Sequence, residues 1–172
     1  MKEFAAAAKA NTGKYTYGSS RLGGASHLAS ELFWSMAGLD MTHVPYKDGA
    51  LAATDMLGGR LTFIFAKLTT ARPHIRCGKL RALGIGTENR SIVMRVLPTI
   101  TENGAPCYEA NNCKGVVPPR AMPRTVVDRL QRDIATIVAP PDIREKLLDA
   151  AFEPINASMA ILQTRTSAGK FI

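Results

Sequence analysis

Residues 15–38 read YTYGSSRLGGASHLASELFWSMAG, and the order of residue types along them decides the fold. Tyr15, Thr16 and Tyr17 have the aromatic and β-branched character of a strand. Gly18-Ser19-Ser20-Arg21-Leu22-Gly23-Gly24 follows as a loop, and Leu28, Leu32, Phe33 and Met36 then recur at helical spacing until Gly38 stops the pattern. Strand, glycine loop and helix in that order form the first half of a βαβ crossover.

The same order repeats outward from this unit. Before it, Lys2 to Ala10 reads as a short helix broken by Asn11-Thr12-Gly13. After it, Met41 to Val44 is a strand ending at Pro45, Leu51 to Leu57 a helix stopped by Gly58-Gly59, and Leu61 to Phe65 a mostly buried strand. Thr69 to Arg76 can make a further helix and Leu80 to Ile85 a further strand. Residues 88–106 lack a clean period and read as a connection, with Asn112 to Val117 a strand beyond it. Pro123 suits a first helical position, and Val126, Val127, Leu130, Ile134 and Ile137 form one apolar stripe ending before Pro140-Pro141. Asp142 to Ala151 is a second late helix, with Ile143 and Leu147 on its apolar face; Ser158 to Ile172 is a weaker candidate. Strands alternating with helices predict an α/β chain with a mainly parallel sheet flanked by helices.

A glycine-rich turn entering a helix gathers backbone N–H groups beside the helix's unpaired donors and partial positive charge, which makes an anion socket. Gly23 and Gly24 permit close backbone approach, Ser19, Ser20 and Ser26 can add hydroxyl donors, and His27 stands at the rim. The same composition also serves as a plain connection. A nucleotide P-loop needs Lys and then Ser or Thr after its second glycine, where Gly24 and Ala25 follow Gly23. A hydrolase elbow needs glycine two residues after its serine, where Leu22 follows Ser20. Ser26 and His27 are adjacent, so in a first helical turn they point apart and form no nucleophile–base pair. The expectation is a binding module and not an enzyme, with no catalytic residue, metal ligand or cofactor assigned.

The bulk properties agree. A chain of 172 residues can bury about 70% of its unfolded surface. No apolar run approaches the roughly 18 residues of a membrane span. The net charge of +8 comes from 22 Lys and Arg residues scattered from Lys2 to Lys170 without a block, and no RNA-module signature interleaves them. This excludes nucleic acid as the expected partner and favours small anions. Cys77, Cys107 and Cys113 are odd in number and too widely spaced for a CxxC site, which leaves buried or incidental thiols.

Several phrases together resemble the substrate-binding proteins of tripartite tricarboxylate transporters, the Bug family. They are Gly18-Ser19-Ser20 with Gly23-Gly24-Ala25-Ser26-His27-Leu28, then His43-Val44-Pro45-Tyr46-Lys47, Leu57-Gly58-Gly59, and Pro73-His74-Ile75 with Gly78-Lys79-Leu80-Arg81-Ala82-Leu83. Leu97-Pro98-Thr99 through Tyr108-Glu109, and Val126-Val127-Asp128-Arg129-Leu130, complete the series, so the resemblance covers most of the chain. It departs at Ala66-Lys67, where the family often has an Asp, at Asn112-Cys113-Lys114-Gly115, and at Pro118 to Pro123.

The resemblance implies a periplasmic-binding-protein-like (type II) lobe. Residues 1–118 would be the second, ligand-gripping lobe, and residues 119–172 a helical segment packing across to a first lobe that would precede Met1. The expected ligand is a small carboxylate, held by Ser19, Ser20, Gly23, Gly24, Ala25 and Ser26 with Tyr46 and Lys47 as walls. The expected partners are the membrane components of a tripartite transporter. The resemblance implies the periplasm; residues 1–14, with Lys2, Glu3, Lys9 and Lys14, have no secretory signal, so the chain as written is expected to stay in the cytoplasm as an amino-terminally truncated member. The alternative is a truncated non-binding remnant or a self-associating interaction module.

Overall fold

A computed structural model describes residues 1–111, 116 and 118–154. Three parallel strands, β1 (Thr16–Ser19), β2 (Thr42–Pro45) and β3 (Phe63–Ile64), form a sheet in the order β2-β1-β3. Tyr17 lies opposite His43 and Phe63, and Gly18 opposite Val44 and Ile64. Helices α1 (Lys2–Ala10), α2 (Ala25–Ala37), α3 (Gly49–Leu57) and α4 (Leu68–Arg76) precede, separate and follow the strands. The expected parallel sheet with flanking helices is present.

Side chains alternate across a strand, so Tyr17 and Gly18 serve opposite faces of β1. Tyr17 is fully buried and meets Trp34 of α2 with ring centroids 5.6 Å apart. Phe63 stacks on Phe4 of α1 at 5.0 Å and meets Trp34 edge-on at 5.0 Å, and Phe33, Ile100 and Tyr108 complete this aromatic core. Tyr108 donates its hydroxyl to Ala29 O at 2.9 Å, which satisfies a buried polar group. On the other face, a Cβ at Gly18 would stand 2.6 Å from Leu61 Cδ1 and 3.3 Å from Ala52 Cβ. Glycine there lets β1 lie close against α3, whose inward residues Ala52 and Ala53 are small.

Local signals set the helix ends. Gly38 is left-handed at φ 61°, and the Leu39 N–H returns to Trp34 O at 2.9 Å, closing α2. Asp48 caps α3, its Oδ1 accepting from the N–H groups of Ala50 at 2.7 Å and Leu51 at 3.0 Å.

The structure corrects three expectations. In α2 the buried residues are Ser30, Phe33 and Trp34, while Leu28, Leu32 and Met36 are exposed. The two large aromatic rings bury more apolar surface than the leucine row, and they lie on the opposite side of the helix from it. Leu80 to Ile85 joins no sheet; it makes one parallel bridge, Ile85 to Thr99, with Ile85 N–H donating to Pro98 O at 3.0 Å. Gly86 O then accepts from Ala110 N–H at 2.9 Å, so this stretch pairs with the segments after it rather than with β3. β3 itself is shorter than Leu61 to Phe65. The expected strand at 112–117 and helix at 158–172 lie outside the described residues, apart from Val116, which is exposed. Cys77 and Cys107 are exposed, which of the two expected readings leaves incidental thiols.

The chain divides into two compact units, Met1–Ala110 and Asn111–Ile172, and the expected boundary after residue 118 falls inside the second. In that unit α5 (Arg124–Val138) and α6 (Pro141–Asp149) pack on each other, while Val126, Leu130, Ile134 and Ile137 of α5 are exposed. Among the described residues no helix is long and apolar enough to cross a membrane.

Candidate functional site

In an open parallel sheet, ligands bind outside the carboxyl ends of the strands, because the following loops and helix N-termini converge there. Here the carboxyl ends of β1 and β2 are tied by Tyr46 N–H donating to Ser19 O at 2.9 Å. An open cleft of ≈ 490 Å³ lies at this end, lined by Arg21 and Leu22 from the loop after β1 and by Pro45, Tyr46 and Lys47 from the turn after β2. Arg21 and Lys47 are exposed, and among the described residues neither forms an ion pair. The cleft therefore carries two uncompensated positive charges beside an aromatic and aliphatic wall.

The loop's own donors are largely spent internally. Ser20 donates its N–H to Ser26 Oγ at 2.9 Å, and the two hydroxyls meet at 2.9 Å. Gly23 N–H goes to His27 Nδ1 at 3.1 Å and Gly24 N–H to Arg21 O at 3.3 Å. The free donors expected at Gly23 and Gly24 are thus paired inward in this geometry. Arg21 at φ 141° and Gly23 at φ 73° turn the chain sharply enough to aim those amides back into the loop. What stays open is the start of α2, where the N–H groups of Ala25, Ser26 and His27 have no acceptor among the described residues and Gly24 supplies no side-chain cap.

The remaining expected residues take distinct positions. Ser19 is buried, its Oγ 3.1 Å from Arg21 O and 2.7 Å from His43 Nε2, so it braces the loop from behind. Tyr46 lends its ring to the cleft, but its hydroxyl donates to Asp55 Oδ2 at 2.7 Å. Arg60 sits 2.5 Å from the other Asp55 oxygen, and these two partners hold the Asp55 carboxyl below the ordinary carboxylate range. Lys47 lines the cleft.

Behind the loop lies a group the sequence did not reveal. The His27 and His43 rings stack 4.2 Å apart, and Tyr17 stacks on His43 at 4.8 Å. Glu31 accepts the Tyr17 hydroxyl and stands 3.7 Å from His27 Nε2. Burial and then the neighbouring His27 push His43 below the ordinary imidazole value, with Glu31 opposing. Arg21 and Leu22 also escaped notice as cleft walls; the signal was a charged residue in the middle of a serine and glycine loop. No group of three metal-binding side chains occurs among the described residues.

The model of the tripartite tricarboxylate transporter family receptor matches residues 1–166. The chain belongs to that receptor family. A protein encoded in the tcbD-tcbE intergenic region of Pseudomonas sp. (strain P51) is 34% identical over 157 residues, covering 91% of this chain and 47% of that protein. The R. palustris protein Rpa4515, solved with adipate, superposes with a TM-score of 0.88 at 30% identity, covering 99% of this chain and 57% of that one. The periplasmic binding protein BugD superposes with a TM-score of 0.79 at 26% identity over 99% of this chain and 57% of its own. This chain therefore spans about half the length of the curated relatives it matches. Family and fold neighbours are binding proteins, and the parallel sheet with flanking helices is the periplasmic-binding-protein lobe. Ala66-Lys67 lies at the exposed entry to α4, where Lys67 is the N-cap.

Proposed function

We propose that this chain is the anion-gripping lobe of a carboxylate receptor that serves a tripartite uptake system in the periplasm. The observation that carries the reading is the open start of α2 beside a cleft lined by Arg21 and Lys47. In this reading the N–H groups of Ala25 and Ser26, with the Ser20 and Ser26 hydroxyls, meet the carboxylate, while Arg21 and Lys47 supply its counter-charge. Tyr46 and Leu22 would line the ligand's carbon chain. Ser19, Gly23 and Gly24 shape the loop rather than touch the ligand. Adipate in Rpa4515 supports a carboxylate as the class.

Magnitudes say what else is needed. A helix N-terminus contributes about 0.3–1 kcal/mol toward an exposed anion and up to about 2 when partly buried. Micromolar capture takes about 8 kcal/mol, so a second enclosing surface must supply most of it. We assign that surface to an opposing lobe of the kind the longer relatives contain, with the segment 119–172 packing across to it. The membrane components of the transporter are the partners that follow from the family.

Calorimetry tests the proposal. This chain fused behind the amino-terminal lobe of Rpa4515 is expected to bind adipate. Arg21→Gln together with Lys47→Gln should weaken it by at least about tenfold, since hydrogen bonds to charged groups are worth about 1.5–3 kcal/mol each. A fusion that folds and binds no carboxylate, or a double variant with unchanged affinity, overturns the reading.

A second reading has one observation behind it. The exposed rows Leu28, Leu32 and Met36 of α2 and Val126, Leu130, Ile134 and Ile137 of α5 favour a self-associating module. Light scattering decides: a dimer indifferent to adipate favours it, and a monomer counts against it.

A further inference from the structure

We infer that His27 is the positioning residue that holds the ligand loop in its gripping shape, and that it does so only while its Nδ1 carries no proton. The inference rests on the receptor reading above. The loop passes through Arg21 at φ 141°, a conformation that needs an outside hold, and through Gly23 at φ 73°, which glycine adopts freely. That hold is the Gly23 N–H donated to His27 Nδ1 at 3.1 Å, which fixes the chain one residue before Gly24, the N-cap of α2.

The rest of the ring's surroundings fix its tautomer. Nε2 lies 3.7 Å from Glu31 Oε1 on the same helix, so a carboxylate favours the proton there and leaves the lone pair on Nδ1. His43 of β2 stacks on the ring at 4.2 Å and Tyr17 of β1 lies at 6.5 Å; Glu31, His43 and Tyr17 are the titratable groups that face it. His43 braces the same loop from the far side, its Nε2 2.7 Å from Ser19 Oγ, which donates to Arg21 O. A proton on Nδ1 turns the acceptor into a donor, and two N–H groups then confront each other. A proton on Nδ1 is therefore incompatible with the latch, and a loop released in this way grips a carboxylate less well. A histidine that contacted the ligand as a cation would do the reverse, which separates positioning from direct binding.

The test is an NMR titration of the ¹⁵N-labelled chain between about pH 8 and 5, the span in which imidazoles change charge. Long-range ¹H–¹⁵N spectra are expected to show His27 with Nδ1 unprotonated at the upper end. The Gly23 amide should then move with the same midpoint as the His27 ring. His27→Asn, whose Oδ1 stands where Nδ1 does, should keep the Gly23 amide at its bonded position with no acid transition. His27→Ala should hold it at the acid position throughout; if that variant does not fold, the wild-type titration still decides. A Gly23 amide that ignores His27, or an Asn variant that titrates like wild type, overturns the inference. Adipate added to the ¹⁵N-labelled fusion with the amino-terminal lobe of Rpa4515, followed at the Ala25 and Ser26 amides, is expected to bind about 3- to 10-fold more weakly in acid, the worth of one net hydrogen bond. Tighter binding in acid overturns the positioning role. Adipate that moves neither amide at any pH overturns the receptor reading, while the Gly23 coupling is judged by its own titration.

Discussion

Replacing Gly18 by alanine puts a methyl group 2.6 Å from Leu61 Cδ1 and 3.3 Å from both Ala52 Cβ and Ile64 Cγ2. Leu61 is only 5% exposed, so its side chain has little room to swing aside. Overpacking of this kind costs about 1–3 kcal/mol, and alanine in a strand regains about 0.5–1 kcal/mol over glycine. The net loss is about 1–2 kcal/mol, and in a chain of 172 residues it lowers Tm by about 2–8 °C. Thermal unfolding followed by circular dichroism reads this directly. The cause is isolated by a double-mutant cycle with Leu61→Val, which removes the crowded δ-carbons. In that background Gly18→Ala should be milder by about 1 kcal/mol, because the two substitutions share one contact. Additive losses, or a Gly18→Ala protein as stable as wild type, would refute the argument that β1 needs glycine in order to lie against α3.

Three further predictions follow from particular contacts. Asp48→Ala removes the acceptor of two α3 N–H groups and should cost about 1 kcal/mol by urea unfolding, with Asp48→Asn nearly silent. Asp55 is held below its ordinary value first by Arg60 and then by Tyr46. Its stabilisation is therefore complete above the unfolded carboxyl's pKa and lost as pH falls through the lower folded one. Wild type and Asp55→Asn should differ in Tm at neutral pH and converge below about pH 4; parallel curves down to acid would contradict the pairing. Phe33→Ala should cost about 3–5 kcal/mol and Leu32→Ala less than about 0.5, since one is buried in the aromatic core and the other is exposed. Equal losses would restore the leucine row as the buried face.

The elements legible from sequence were those fixed by local chemistry. Helix α1 follows from its composition, the end of α2 from Gly38, the end of α3 from Gly58-Gly59, and the alternation of β1, β2 and β3 with helices from short patterns of neighbours. Where two faces competed, local pattern was not enough. Leu28, Leu32 and Met36 have the helical period of a buried stripe, yet the face with Phe33 and Trp34 wins because burial is decided by what a helix meets, and α2 meets an aromatic core. Leu80 to Ile85 has strand composition, but its partners are Pro98 to Ile100 and Ala110, a long-range choice that composition does not encode.

The site divides along the same line. That the loop between β1 and α2 lies at the carboxyl end of the sheet could be read from a strand, a glycine loop and a helix in series. The direction of each amide could not, because it depends on single torsions such as φ 141° at Arg21, a residue whose type gives no hint of it. Gly23 and His27 stand four residues apart, a spacing in plain view, but only the fold shows that the ring turns back to take the Gly23 N–H rather than outward to a ligand. This changes where affinity must come from. With the Ser20, Gly23 and Gly24 amides committed inside the loop, the lobe offers an anion the first turn of α2 and the cations Arg21 and Lys47. Both cations are exposed, where salt screens them. In the proposed reading such a lobe would steer and orient a carboxylate, and would hold one tightly only when a second surface closes over the cleft and excludes the water that screens those charges.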